Sequence, residues 1–317
     1  VKKPGPSFSI KLSGDAGYAL NGGGDLEQAR LGRINYYTDL GEEDYYAPIL
    51  NWKKMSFIPG FGIDLIFFLN PNIGIGFGSG YIMASSKGDY GYTYKETQAP
   101  WWGSYTYDGK FSYTRDYKIN AIPITFNFYY KMPMGQMNIY AYAGAGLYIG
   151  KLTHDYATDE TFSYTDTSWY YLDEKTEWTY KGGGSEEANK NAFGVNGGFG
   201  LEYNLGSNIA LGLEVFGRIV NFSSLDGSYS ENYTEHERDW LEGYGWYYDR
   251  TTTSDDSGNG KLWYYEVYDS DFGKQYGQMY VWENKPSGSS MRAVKEAAIN
   301  LNTFGIKLSF RIFFDLF

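Results

Sequence analysis

Residues 302–317 read NTFGIKLSFRIFFDLF. Phe304, Ile306, Leu308, Phe310, Ile312, Phe314 and Leu316 fall on one parity, and Thr303, Gly305, Lys307, Ser309 and Arg311 fall on the other. Successive side chains of an extended chain point to opposite faces, so this is a strand with one apolar and one polar side. A tilted strand crosses a bilayer in about nine to eleven residues, and this one is long enough.

Seven further stretches repeat the alternation: 7–20, 54–69, 73–85, 117–130, 137–149, 192–205 and 209–219. In the first, Phe8, Ile10, Leu12, Ala16, Tyr18 and Leu20 oppose Ser7, Ser9, Lys11, Ser13 and Asp15. In the third, the polar side is a row of glycines, Gly74, Gly76, Gly78 and Gly80. That row leaves one wall bare, for a long side chain such as Arg218 or Arg311 to fold across. In the fourth, Ile119 and Ala121 sit on the opposite parity to Ile122, Ile124, Phe126 and Phe128. A bulge near Pro123 is the expected cause.

Short turns at 70–72, 132–136 and 206–208 alternate with four long segments, 21–53, 86–115, 152–189 and 223–295, which read as loops. A soluble β-sandwich would show the same period of two. The rhythm of short and long connections favours an antiparallel, up-and-down transmembrane β-barrel of eight strands, all-β, as one domain over 1–317. Within the last loop, 261–268 (KLWYYEVY) and 276–283 (YGQMYVWE) suit a hairpin.

Composition narrows the function. Among 317 residues there is no cysteine, with 34 Tyr, 20 Phe, 9 Trp and 41 Gly, which favours strands and turns and excludes disulfides and thiolate sites. No run of about eighteen apolar residues exists to make a transmembrane helix. A signal-peptide pattern is missing, so Val1 is read as a mature start after export. The four long segments hold 31 acidic and 16 basic residues, a balance of −15 against −11 for the chain, which leaves +4 on the strands. Acidic loops without clustered Lys and Arg exclude nucleic acid as a partner.

The inward parity collects Lys11, Asp15, Asp64, Glu202, Glu214, Arg218, Lys307 and Arg311, four acids and four bases. An eight-stranded barrel is just wide enough for side chains to fill, and buried charges must pair, so a salt-bridged plug is expected. A narrow polar conduit is the alternative. The long segments carry three look-alike triplets: Trp169-Tyr170-Tyr171, Trp246-Tyr247-Tyr248 and Trp263-Tyr264-Tyr265. Such rings either pack loop on loop or make a surface for self-association, as a homo-oligomer or lattice, or for a glycan. Asp255, Ser257, Asn259, Gly260 and Glu266 fit a variant calcium loop and also an ordinary turn. The only histidines are His154 and His236, so no histidine zinc cluster is available. His236 lies in a run with Glu235, Glu237 and Asp239, and no enzyme is expected.

The stretches NIYAYAGAGLYIG (138–150), AFGVNGGFGLEYNLGSNIALGLEVFGRI (192–219) and the last strand resemble the small eight-stranded outer-membrane barrels of the OmpW and OmpA/OmpX-like kind. The resemblance implies a bacterial outer-membrane location, short turns in the periplasm and long loops outside the cell. A final phenylalanine is usual in such barrels, but Phe317 shares parity with Arg311 and Asp315, so either a bulge near Asp315 resets the phase or the terminal assembly signal is degenerate. The expected role is a surface-exposed structural or interaction barrel with a plugged lumen. An OmpW-like passage for small hydrophobic solutes is the alternative.

Overall fold

The computed structural model describes residues 7–40, 46–168, 171–270 and 273–315, so Phe317, Trp169 and Tyr170 lie outside the described residues. In chain order the elements are β1 (Ser7–Ala19), α1 (Asp25–Leu40), β2 (Tyr46–Trp52), β3 (Phe57–Phe68), β4 (Ile73–Gln98), β5 (Gly103–Met134), β6 (Met137–Ser168) and β7 (Glu174–Asn204). There follow β8 (Ile209–Ser223), β9 (Asp226–Leu241), β10 (Gly245–Asp269), β11 (Lys274–Trp282), β12 (Met291–Glu296), β13 (Ala298–Asn300) and β14 (Thr303–Asp315). β1 pairs antiparallel with β3 and β14, β3 runs on through β4, β5, β6 and β7 to β8, and β8 pairs with β14. Eight strands therefore close into a ring with no free edge, and all the alternating stretches belong to it. The β1–β14 register runs without a shift to Ser7↔Asp315, so no bulge resets the phase within the described part of β14.

The ring uses only the dozen or so residues of each of β4–β7 that lie nearest the short turns. The remainder of those strands rises as a curled sheet, widened by β9, β10 and β11, with β2 added to β4 and β12 to β10. The long segments read as loops are thus mostly strand, and the hairpin of 261–268 with 276–283 is β10 with β11. Stretches such as SYTYDGKFSYTRDY alternate with tyrosines in place of aliphatic residues on one parity, interrupted by Gly109 and Arg115, and Tyr, Thr and Phe favour extended backbone. One segment is helical instead. In α1, Leu26, Ala29, Arg33, Tyr36 and Tyr37 are buried, a helical spacing, and they face β11 and β2. The helix lies almost backbone to backbone on β11: a Cβ on Gly32 would stand 2.7 Å from the Gly277 amide nitrogen.

The phase change at Pro123 has a different origin from a bulge. The β4–β5 and β5–β6 registers run through it without a shift, and Ile119 and Ala121 point into the ring. What changes is the content of the interior. Towards the short turns the outward side chains are apolar, and the inward ones are charged or polar apart from a small cluster of Ile66, Phe68 and Phe216 with Tyr129, Tyr140 and Tyr142: Leu213 is 50% exposed beside Glu214 at 0%. Beyond Ile122 the rule inverts. Ile82, Ala84, Ile119, Leu152, Val220 and Phe222 are buried inside, while Lys87, Lys118, Lys151 and Asn221 face outward. The glycine row likewise differs from expectation. Cβ atoms on Gly74, Gly76 and Gly78 would meet Phe68, Tyr129 and Asp64 of the adjoining strands, which cover that wall in place of the distant arginines.

Gly277→Ala inserts a methyl group 2.9 Å from the Ala29 Cα and is expected to destabilise the docked helix by about 1–3 kcal/mol. Amide exchange should quicken in α1 and β11 and stay slow in β1, β3, β8 and β14. Unchanged exchange in α1 would show that the contact is dispensable.

Candidate functional site

All eight charged residues of the inward parity lie within the ring, where period-two alternation puts them on one face. Nearest the short turns, an Arg311 Nη1 stands 2.7 Å from a Glu202 oxygen, and the Asn138 amide donates to the other Glu202 oxygen at 2.9 Å. One layer up, the Lys11 ammonium sits between Asp64 at 3.3 Å and Glu214 at 3.1 Å, within 6.0 Å of the ring centres of Tyr129, Tyr140 and Tyr142. Above that, Arg218 approaches Asp15 at 3.7 Å, and Lys307 stands opposite Asp15 on β1 and Glu214 on β8. A polar cavity of about 50 Å³ remains between Asp15, Asp64, Asn127, Asn196, Arg218 and Lys307, which is room for a few waters on the order of 15 Å³ each.

Above the charged layers the interior is filled by Ile58, Ile82, Ile119, Leu152, Val220 and Phe222, each fully buried. This apolar seal continues into the curled sheet, where Tyr90, Tyr117, Leu262, Met279, Ile299 and Leu301 join the same cluster. Sequence reasoning missed what stands inside it. Tyr113, Arg115 and Tyr117 share one inward parity, and Arg115 is 1% exposed. Its guanidinium donates to the Tyr117 hydroxyl at 2.8 Å and the Tyr280 hydroxyl at 2.6 Å, and it lies 4.7–5.5 Å from the rings of Tyr113, Tyr280, Trp52 and Tyr90. The only available signal was a lone arginine in a Tyr/Thr alternation.

Beside this cage lies a second buried pair. His154 Nδ1 and a Glu186 oxygen are 2.7 Å apart, the other Glu186 oxygen accepts the Val281 N–H at 2.8 Å, and the imidazole stacks on Tyr117 at 3.9 Å. Burial raises the Glu186 pKa to about 8, against the lowering effects of the Val281 N–H and Arg115. Burial, with Arg115 adding to it, pushes His154 well below its ordinary value. An open cavity of about 380 Å³ borders Glu186 and is walled by Tyr113, Tyr156, Tyr180, Tyr229 and Tyr280. Tyr156 donates to Glu231 at 2.8 Å and Tyr229 to Asp256 at 3.3 Å.

The three triplets serve different ends. Tyr264 and Tyr265 are buried in the β10–β11 hairpin with Trp263 half-buried, whereas Tyr171 (80% exposed), Trp246 and Tyr247 are exposed at the far end of the sheet and Tyr248 is half-buried there. Tyr247 is the extra residue where the β9–β10 register shifts. The calcium reading is corrected. Asp255, Ser257, Asn259, Gly260 and Glu266 all lie on β10, and Asp255 and Glu266 are eleven residues apart on an extended strand, some ~36 Å. They cannot wrap one ion, and among the described residues no cluster of three or more His, Asp or Glu is placed to hold a metal. His236 pairs with Asp249 at 2.8 Å on the exposed face of the sheet.

No protein-family model matches the chain, and no curated protein matches it. Among solved structures it is similar to the outer membrane protein OprG of Pseudomonas aeruginosa, at 11% identity over 98% of this chain and 97% of that one, with a TM-score of 0.35. It is also similar to a Pseudomonas aeruginosa FadL homologue (7% identity, 100% of this chain, 91% of that chain, TM-score 0.15). The Escherichia coli outer membrane transporter YddB aligns at 8% identity over 96% and 81%, with a TM-score of 0.11. At these scores the likenesses add nothing to the strand pairing itself.

The Glu186–His154 pair sets a pH dependence. From its ordinary 4.5 to about 8, folded Glu186 keeps a proton that the unfolded chain has released, so stability falls as pH rises. Below 6.5 the unfolded chain gains a proton on His154 that the fold refuses, so stability falls as pH drops. The two offset between 4.5 and 6.5, and from 6.5 to 8 only Glu186 acts, by at most about 1.4 kcal/mol per pH unit. Thermal unfolding of the wild type should therefore weaken from pH 6.5 to 8, and Glu186→Gln should flatten that slope. An unaltered slope in the variant would assign the effect elsewhere.

Proposed function

We propose that this chain is a bacterial outer-membrane β-barrel with a closed lumen, which acts through the rigid, acidic, tyrosine-rich sheet it raises above the bilayer. The observation that carries the membrane placement is the inversion of parity. An exposed apolar belt surrounds the ring from the short turns to Tyr18, Phe57, Ile122, Phe193, Ile219 and Phe304, and stops where the interior turns apolar. From Met137 to Ile149 the belt spans twelve steps of a strand, ~40 Å along its axis and ~28 Å of height at a 45° tilt, close to the roughly 25 Å band of such barrels. Aromatic side chains mark both rims: Tyr18, Phe57 and Phe304 at one, Tyr130, Tyr203 and Phe314 at the other. The acidic extension then lies outside the cell and the short turns in the periplasm.

Two obstacles in series support a closed lumen: paired charges in the middle and the Ile82–Phe222 seal above them. A passage for hydrophobic solutes needs an empty apolar route from the sheet into the ring, and side chains occupy that volume. The exposed rings of Trp101, Tyr171, Tyr244 and Tyr247 are the part of the surface suited to contacts with another protein, a second copy or a glycan.

Planar-bilayer recordings of the full chain should show no stable open pore, and a steady single-channel current would overturn the closed-lumen reading. Leu213→Arg, at mid-belt, should cost about 2–4 kcal/mol of stability in bilayers, while Asn221→Arg, above the belt, should be close to neutral. Equal tolerance of both in vesicles would remove the lipid-facing assignment.

A further inference from the structure

One outward-facing groove combines apolar and cationic side chains at the upper rim of the belt. Its floor holds Phe57 and Met83, and its wall carries Lys53, Lys54, Lys87 and Lys118, around an open volume of about 520 Å³. Three strands and a link bring these residues together. Lys87 and Met83 lie on the outward parity of β4, Lys118 is two residues along β5 from the level of Met83, and the link after β2 runs beside β4 with the Lys53 N–H donating to the Lys87 carbonyl at 3.1 Å. Phe57 is exposed on β3 just below.

The ammonium groups are loosely neutralised. Lys87 lies 3.8 Å from Asp116, and Lys118 lies 3.3 Å from Asp116 and 3.7 Å from Asp155. Lys54 is 3.9 Å from Glu27, but that carboxylate is already held by Arg30 at 2.6 and 2.8 Å. No ion pair of Lys53 is present among the described residues. Lys87 and Lys118 are more than half exposed, so their pairs contribute little and are readily exchanged for a stronger anion. The placement runs against the chain's own charge. Four lysines gather on one side, where the apolar belt meets an extension that is strongly acidic as a whole.

We propose that this groove binds a lipid with a phosphorylated headgroup, its acyl chain against Phe57 and Met83 and its phosphate among Lys53, Lys54, Lys87 and Lys118. The inference rests on the membrane placement above, because only that placement sets the groove at headgroup depth. Charge complementarity selects the occupant: an apolar floor alone would suit any acyl chain, and lysines alone any anion, whereas the two stacked across a membrane interface match one amphiphile with a negative head.

The test uses the full-length protein in phosphatidylcholine nanodiscs, with and without a diphosphorylated disaccharide lipid. Retained lipid is counted by native mass spectrometry after release, and inorganic phosphate is a separate arm. The wild type should retain the phosphorylated lipid over phosphatidylcholine, and the variant Lys53→Gln/Lys87→Gln/Lys118→Gln should lose that preference about tenfold or more. The charge-matched variant Lys95→Gln/Lys110→Gln/Lys181→Gln, high on the extension, should keep it. Amine-acylation footprinting of the wild type gives a readout free of any folding defect: the phosphorylated lipid should shield Lys53, Lys87 and Lys118, and inorganic phosphate should not. A chain that inserts but shows equal retention and no shielding refutes the groove alone. Shielding by inorganic phosphate as strong as by the lipid refutes the lipid as occupant. A chain that does not enter nanodiscs at all refutes the membrane placement and the groove with it.

Discussion

Closure of the hydrogen-bonded ring is the constraint from which the remainder follows. Once β8 pairs with β14 and β14 with β1, every ring strand has two neighbours and no backbone group is left at an edge. Side chains then have two destinations, and period-two alternation assigns them without exception until the environment on one side changes. Along β5 the register does not shift at Pro123, although the β4–β5 pairing skips Ile122 and Pro123, and still apolar residues exchange faces there. Below that level the exposed apolar side chains point out of the ring, and above it the buried ones point in.

Two ways of burying charge accompany the two regimes. Within the ring, Lys11 between Asp64 and Glu214 has opposite charges at hydrogen-bonding range, so removing one partner strands the others in a nearly dry interior, a loss of about 3–5 kcal/mol in comparable cases. In the extension, Arg115 makes no ion pair with a carboxylate among the described residues. It is held by two tyrosine hydroxyls and four ring faces, each a weaker partner than an acid, and Glu186, close enough to feel its charge, is engaged with His154 and Val281. Tyrosine supplies ring and hydroxyl in one residue, which is why a chain with 34 of them can close an interior that has few aliphatic side chains.

The ring was legible in the sequence because each of its strands keeps a strict apolar parity, as NTFGIKLSFRIFFDLF does. The inward positions followed from the same period. The extension was not legible as strand, because the aromatic parity of a stretch such as TFSYTDTS is short and broken (Phe162 and Tyr164, then Asp166) and tyrosine beside threonine gives little contrast in a hydropathy pattern. Helix α1 was hidden by three glycines before it and by a buried face that mixes Leu26 and Ala29 with Arg33, Tyr36 and Tyr37, so that no apolar period stands out. The Arg115 cage and the His154–Glu186 pair are brought together by register between β5, β6 and β7 and by the return of β11, which no local pattern encodes.

Continuity between ring and extension has a mechanical consequence. β5, β6 and β7 each run unbroken for more than thirty residues, so the far hairpins are the ends of the ring's own strands and not tethered loops. The registers Gly103↔Ser168 and Glu174↔Leu241 bring three hairpin ends to one height. Trp101, Tyr171 and Tyr244, the most exposed rings there, thus stand in a row on a twisted sheet whose ordering is shared with the ring. A partner meeting that row orders few new residues on this side, since loss of loop freedom on binding is the usual deduction from contact energy. The flexible loops of many surface proteins must bear that loss at each encounter; here it is borne once, on folding.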